Sequence, residues 1–398
     1  MDMLDRRLLT MHPLSQRHNK LRIEEIAVSP DTPASDASSR LKERVGLAAQ
    51  RIRAAREKGK PVMLTYGAHL VKNGLAPVVI QMMKDGWITH LATNGAGSIH
   101  DWEFAFIGES SEDVEGNAAR GEFGTWDETG RCLNLAVAVG GTHGLGYGAS
   151  VGSMIAQDGL DIPSVESLRV SISELSNGSA IRSTSGHSEP SDRACESVDD
   201  ALGAMADMLS LVRSFDLQPG RMSVEHPFKK YSIQGAAYRL GIPFTVHPGI
   251  GYDIIYTHPM NSGGAIGRGA VRDFLGYAHS VSRLGGGGVH IAVGSAVMAP
   301  MIFEKSLSMA NNLSINQTGK PLADYHLLVV DIQEGGDWDW SDGEPPMDNP
   351  AYYLRFCKTF HRMGGHLDYL CLDNRAFLLG LYQSLASSTP GTVVRESE

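Results

Sequence analysis

The chain has 398 residues, 42% of them hydrophobic and 20% charged, which is enough for a large core and ordinary for a soluble globular protein. A formal charge of -10 argues against a nucleic-acid partner, which needs a basic face, and suits solubility or a cationic small molecule. No stretch of about eighteen clean apolar residues exists to span a membrane, and the first residues lack the unbroken apolar core of a secretory leader, so a cytoplasmic setting with reduced thiols is expected.

In chain order, residues 1–38 read as an amino-terminal extension, with one edge strand at LRIEEIAVS and a Pro/Asp/Ser connector at PDTPASDASS. Residues 40–58 alternate Leu, Val, Ala and Ile with Arg, Lys and Glu, the pattern of an amphipathic helix. PVMLTYG is a short apolar run ending in glycine, followed by the helical stretch LVKNGLAPVVIQMMKDG. ITHLATNGAG repeats the strand and glycine turn before DWEFAFIG. Residues 109–216 break that rhythm: Gly, Ser, Glu and Asp dominate, one helix is expected at SVDDALGAMADMLSLVRSF, and NGSAIRSTSGHSEPSDRACES reads as a surface loop. The alternation resumes with GIPFTVHPG, VRDFLGYAHSVSRL, VHIAVGS, APMIFEKSLSMANNL, YHLLVVDIQEGG, NPAYYLRFCKTFHRM, LDYLCLD and NRAFLLGLYQSLA. Strands alternating with crossover helices predict a doubly wound α/β fold, with a mostly parallel, Rossmann-like sheet and helices on both faces. Residues 39–398 are expected to form one domain, with 109–216 as its insertion.

Ligands of such sheets bind beyond the carboxyl ends of the strands. Those ends carry Gly67, Ala68 and His69; Asn94, Gly95, Ala96 and Gly97; the segment 247–253 that closes on Asp253; Gly294 and Ser295; Asp331; and Asp373 and Asn374. Six ends bearing Gly, an acid or an amide on one rim point to a bound nucleotide. Helix caps and tight turns want the same residue types, so each end taken singly also reads as plain turn chemistry. The stretch LGGGGVHIAVGS adds four glycines before a strand; they are expected to let backbone approach backbone, in the service of a pyrophosphate or ribose. The G-x-G-x-x-G fingerprint of ordinary dehydrogenases is absent.

Taken together, KPVMLTYGAHLVKNGLAPVVIQMMKDGWITHLATNGAGSIHDWEFA, GIPFTVHPGIGYDIIYTHP, LGGGGVHIAVGS, LADYHLLVVDIQEGGDWDWSDG and LDYLCLDN resemble, in order and spacing, the deoxyhypusine synthase family. The resemblance runs over roughly residues 60–374 and leaves the middle insertion unmatched. It implies NAD as cofactor, a homotetramer, and transfer of an aminobutyl-type group from a polyamine such as spermidine to an amine or protein acceptor through an enzyme-lysine imine. The family's lysine corresponds to Lys358 in RFCKTF, and its aspartate to Asp253.

Substrate contacts are then expected from His100, Asp101, Asp337, Asp342 and Phe356. The chain departs from the family where Phe356 and Cys357 replace Trp and Gly, where Tyr352 replaces a glutamate, and where His100 stands for an acidic residue. His290 is the candidate for proton transfer during amine oxidation. No helical H-x-x-x-H pair marks a metal site, and none is expected. Two other readings stay open: an NAD-dependent oxidoreductase or lyase on another small molecule with Lys358 incidental, and a non-catalytic nucleotide-binding sensor.

Overall fold

Runs of Val, Ile, Leu, Tyr and Thr bounded by glycine become strands because branched and aromatic side chains fit a pleated, buried surface. The computed structural model describes residues 3–34, 38–177, 198–336 and 338–387. Among them are ten strands: β1 (Asn19–Arg22), β2 (Val62–Tyr66), β3 (His90–Asn94), β4 (Glu109–Glu112), β5 (Gly159–Ile162), β6 (Gly220–Ser223), β7 (Phe244–His247), β8 (Gly288–Val293), β9 (Tyr325–Asp331) and β10 (His366–Cys371). Six of them form one parallel sheet flanked by helices, in the order β10-β9-β8-β2-β3-β7. Numbering those six by their place in the chain and reading from β7 gives 3-2-1-4-5-6, the order of dinucleotide-binding sheets. The strand order reverses between β2 and β8, so the switch point of the fold lies there.

The chain divides into two compact units. One, residues 27–91 and 278–398, holds β2, β8, β9 and β10. Their parallel registers pair Val62 with Val289, Val289 with His326, and His326 with His366. Every residue of β2 and β8 is buried, the run expected of a parallel strand covered on both faces. Helices Ser39–Glu57, Met298–Thr318, Arg355–Arg362 and Asn374–Ala386 belong to this unit. Burial of Ile52, Phe303, Phe360, Phe377 and Leu381 supplies its core, at roughly 1.5–3 kcal/mol for each side chain.

The other unit, residues 1–26 and 92–277, carries two small antiparallel sheets, β1 with β4 and β5 with β6. The expected edge strand over LRIEEIAVS is displaced: β1 ends at Arg22, and Ile23–Ile26 is one helical turn. Arg17 makes a fully buried ion pair with Glu103 at 2.7 Å, so the amino-terminal stretch is built into this unit.

The stretch 109–216 contains more regular structure than its composition indicates, with helices Val114–Arg120, Asp127–Thr142, Tyr147–Gln157, Val165–Ser176 and Val198–Ser214. The small residues of GGTHGLGYGASVGSMIAQDG are the reason. A Cβ on Gly140 would stand 2.0 Å from Ser150 Oγ, and one on Gly148 would stand 2.1 Å from the Phe244 carbonyl oxygen. These helices pack through glycine rather than through an apolar stripe. Beyond Asn177, the loop expected at NGSAIRSTSGHSEPSDRACES lies outside the described residues. Among the described residues, no helix is long and apolar enough to cross a membrane.

Candidate functional site

In the unit of residues 27–91 and 278–398, the parallel run of β2, β8, β9 and β10 brings Gly67, Gly294, Ser295, Asp331, Asp373 and Asn374 to one edge. The Gly67 N–H donates to the Val293 carbonyl (3.3 Å), and the Gly294 N–H donates to the Val330 carbonyl (2.9 Å), so the two turns extend the sheet beyond its last paired residues. A Cβ on Gly67 would stand 2.4 Å from the Gly294 carbonyl oxygen, closer than any real side chain comes. Gly294 itself has φ +58°, a left-handed conformation with open space where a side chain would be. Two strand ends therefore meet backbone to backbone at the switch point.

Behind Gly294, Ser295 Oγ accepts from the Ala299 N–H (3.2 Å) and holds the first turn of the long helix Met298–Thr318. Ala68 is half-buried, and His69 stands exposed one residue further along the β2 turn. Asn374 Oδ1 accepts from Asn73 Nδ2 (2.9 Å), tying the end of β10 to the helical turn after β2. Asp331 accepts from the Gln333 N–H, while Asp373 caps helix Asn374–Ala386 by accepting from the N–H groups of Arg375 and Ala376. Of these rim residues, the two aspartates thus serve their own turns.

Lys358 lies on helix Arg355–Arg362, half-buried, with its ammonium 3.5 Å from the centre of the Tyr352 ring. The Phe356 ring is buried against Tyr369. Asp342 is exposed at the end of a 3-10 turn, and Asp337 lies outside the described residues. His290 sits in the middle of β8, fully buried between the rings of Phe303 and Phe360, with Nε2 3.0 Å from Thr65 Oγ1. Burial pushes its pKa down to about 3.

The unit of residues 1–26 and 92–277 holds the remaining candidates. Asn94 Oδ1 caps helix Gly95–Ile107 by accepting from the Gly97 N–H (2.9 Å). Both glycines of the motif are there for close approach. A Cβ on Gly97 would meet Thr93 Oγ1 at 2.0 Å, and one on Gly95 would meet Asp253 Oδ2 at 2.2 Å. Asp253 is therefore seated on the first turn of this helix, where Oδ2 accepts from the Gly249 N–H (2.8 Å). Burial raises its pKa to about 6, with the Gly249 bond opposing the rise. A carboxyl poised near neutrality, beside the positive end of a helix, can bind a cation or carry a proton.

Asp101 is also fully buried, but its oxygens receive the Ser232 hydroxyl, the N–H groups of Ile233 and Gln234, and Gln234 Nε2. It caps helix Ile233–Leu240 and has little left to offer a ligand. His100 Nδ1 lies 2.7 Å from Ser110 Oγ, which in turn donates to Glu103. Sequence reading missed Arg6, whose guanidinium holds the loop after Asp253. No local signal could have found it, since its partners are some 250 residues distant.

The run Gly285–Gly288 lies at the amino end of β8, away from the rim. Its Gly286, Gly287 and Gly288 N–H groups donate to the carbonyls of Ala323, Asp324 and Leu284. The expected backbone approach is present, since a Cβ on Gly288 would stand 2.6 Å from the Leu284 oxygen. The expected service to a pyrophosphate is not, because those donors are taken and face the wrong end of the strand. Among the described residues, no three His, Cys, Asp or Glu side chains are grouped to hold a metal ion. Cys132, Cys357 and Cys371 carry free thiols, and Cys195 lies outside the described residues.

No family model matches the chain, and no curated protein sequence does. Among solved structures, the chain is similar to the ternary complex of AgrE with ornithine and NAD+ (13% identity, TM-score 0.42). It is also similar to unliganded AgrE (13%, 0.41) and to apo ArgZ, an arginine dihydrolase from the ornithine-ammonia cycle in cyanobacteria (14%, 0.37). These alignments cover 88%, 88% and 87% of this chain but only 34%, 34% and 33% of the others, so the chain spans about a third of their length.

Proposed function

We propose that the chain is an NAD-dependent enzyme acting on a small molecule, with the dinucleotide held at the β2/β8 switch point. The observation that carries this reading is the bare backbone meeting of Gly67 and Gly294 in a sheet of order 3-2-1-4-5-6. A dinucleotide needs that combination, a reversal of strand order with no side chain in the crevice. Gly67, Ala68, Gly294 and Ser295 would line the crevice, and NAD bound there supplies a hydride acceptor.

The finer reading is a transferase of deoxyhypusine synthase type. A polyamine would give a hydride to NAD bound there and be left as an imine. Lys358 would displace the rest of the polyamine as a free amine and carry the four-carbon fragment as its own imine. An amine acceptor would displace Lys358, and return of the hydride to the acceptor's imine would give the product and regenerate NAD. Its support is the sequence resemblance, together with the half-buried Lys358 on a helix of the same unit as the glycine crevice. The chemistry needs Lys358 as the free base, clear of the Tyr352 ring. Calorimetric titration with NAD, followed by incubation with NAD and a polyamine panel read by mass spectrometry, tests both levels. The expected result is saturable heat with NAD and new amine products. In Lys358→Ala the products disappear while the NAD heat persists. Unchanged turnover in that variant removes the lysine from the mechanism, and no heat in the parent protein removes the cofactor.

A further inference from the structure

The loop that carries Asp253 is held from outside by a residue no catalytic pattern marks. Asp253 opens the 3-10 turn Ile254–Tyr256, and the chain runs on through Thr257, His258 and Asn261. Three carbonyl oxygens of this stretch face a single side chain. Arg6 Nη1 donates to the Tyr256 carbonyl (2.9 Å) and, at longer range, to that of His258 (3.4 Å). Nη1 also meets Asn261 Oδ1 (3.0 Å), and Nη2 donates to the Asn261 carbonyl (3.0 Å).

Arg6 is itself fixed. Asp5 caps its 3-10 turn and pairs with Arg7, and further along the segment backbone bonds join His12 to Thr125 and Asp127. The Leu14 N–H donates to Glu128 Oε2 (2.6 Å), and Arg17 is locked to Glu103. On the inner side of the loop, Asn134 Nδ2 donates to the Ile255 carbonyl (3.0 Å) and Thr257 Oγ1 donates to the Gly124 carbonyl (2.6 Å). The loop is therefore clamped on two sides, and the outer clamp is one guanidinium.

We infer that Arg6 is a positioning residue: through the carbonyls of Tyr256, His258 and Asn261 it keeps the turn closed that seats the Asp253 carboxyl on the first turn of helix Gly95–Ile107. The fork of a guanidinium suits this task, because its rigid, divergent N–H groups meet several carbonyls at once; a lysine ammonium reaches fewer of them in fixed geometry. Without Arg6, the Tyr256 and Asn261 carbonyls lose their guanidinium donors while that of His258 keeps the Asn261 N–H, and the turn gains a reason to open. Asp253 then moves away from Gly95 toward solvent, and its carboxyl becomes an ordinary one. The consequence for catalysis rests on the reading of Asp253 as a site residue, whereas the mechanical claim does not.

The test uses the full chain with Arg6→Ala and Arg6→Lys and involves neither NAD nor a substrate. Amide hydrogen exchange over residues 253–261 is expected to accelerate at least about tenfold in Arg6→Ala, with rates elsewhere unchanged and Arg6→Lys in between. With 13C-labelled aspartate, the Asp253 carboxyl is expected to titrate from near 6 toward its ordinary value of 3.8 in Arg6→Ala and to recover in part in Arg6→Lys. Unchanged exchange over 253–261, or an Asp253 titration that stays where it is, overturns the inference. So does acceleration spread evenly over the chain, which marks Arg6 as a general stabiliser. If the parent protein shows these responses to Arg6 substitution but binds no NAD, the functional reading fails and the clamp stands.

Discussion

The two ends of β8 are both rich in glycine and do opposite things. At the amino end, Gly286, Gly287 and Gly288 turn the chain into the strand with their N–H groups bonded inward, and Lys58 and Lys60 lie over the outer surface of the turn. At the carboxyl end, Gly294 keeps a left-handed backbone with open space where a side chain would be, while Gly67 presses on its carbonyl. The first set of glycines closes a junction and the second leaves bare backbone at two strand ends. Glycine count alone does not distinguish them; their place along the direction of the strand does, because only carboxyl ends face the ligand side of a parallel sheet.

Substitutions at the two ends can break this contrast. The largest effect is expected from Gly67→Val. Its Cβ has a backbone oxygen 2.4 Å away, and its branches would fill the crevice. NAD affinity measured by calorimetry should fall at least about 100-fold, equivalent to about 2.7 kcal/mol. Gly288→Ala meets a backbone oxygen at 2.6 Å at the other end. It should lower stability by about 1–3 kcal/mol in urea unfolding yet leave NAD affinity within about twofold. A large loss of affinity in Gly288→Ala, or none in Gly67→Val, would show that the two ends do not differ as described.

The middle of the strand gives an effect that appears only on acidification. Because burial holds His290 neutral with a folded pKa near 3, below its ordinary 6.5, the unfolded chain takes up a proton between those values that the folded chain refuses. The stability it contributes is complete above pH 6.5 and declines on acidification toward 3. His290→Gln should flatten part of that decline in melting curves. Only part is affected, since His226, His247 and His326 are each held near 4 by burial and act in the same direction. A His290 ring that titrates near 6.5 by NMR would mean that water reaches the strand between its two ends.

Much of this fold can be read from the sequence. The apolar runs PVMLTYG, VHIAVGS, YHLLVVD and LDYLCLD become β2, β8, β9 and β10 within a residue or two, because strands buried on both faces carry unbroken apolar sequence. The glycine turns after β2, β3 and β8 are legible for the same reason. The helices between Asp127 and Gln157 are not, because close helix packing through Gly140, Gly148 and Gly152 removes the apolar stripe that periodicity depends on. Strand direction was available in the sequence for Gly285–Gly288, which precede their strand, and it places them at the end away from the carboxyl rim. The rim aspartates were legible as acids at strand ends, while their work as caps appears only with the hydrogen bonds of Asp331 and Asp373. Arg6 lay beyond reach, since nothing near it in the chain records carbonyls contributed by a loop so far away.

The pairing of β2 with β8 also bears on how the protein is made. Val62 finds its partner Val289 only after more than two hundred further residues have left the ribosome, and β9 and β10 follow later still. Through that interval β2 has an apolar edge with no neighbour on the β8 side, a surface prone to aggregate. The unit of residues 27–91 and 278–398 is assembled from stretches of chain that far apart, so it cannot finish folding until residues 278–398 are made, whereas every residue of the other unit precedes them. Slow translation or a shortage of chaperones should therefore reduce the yield of this protein more than a destabilising surface mutation would.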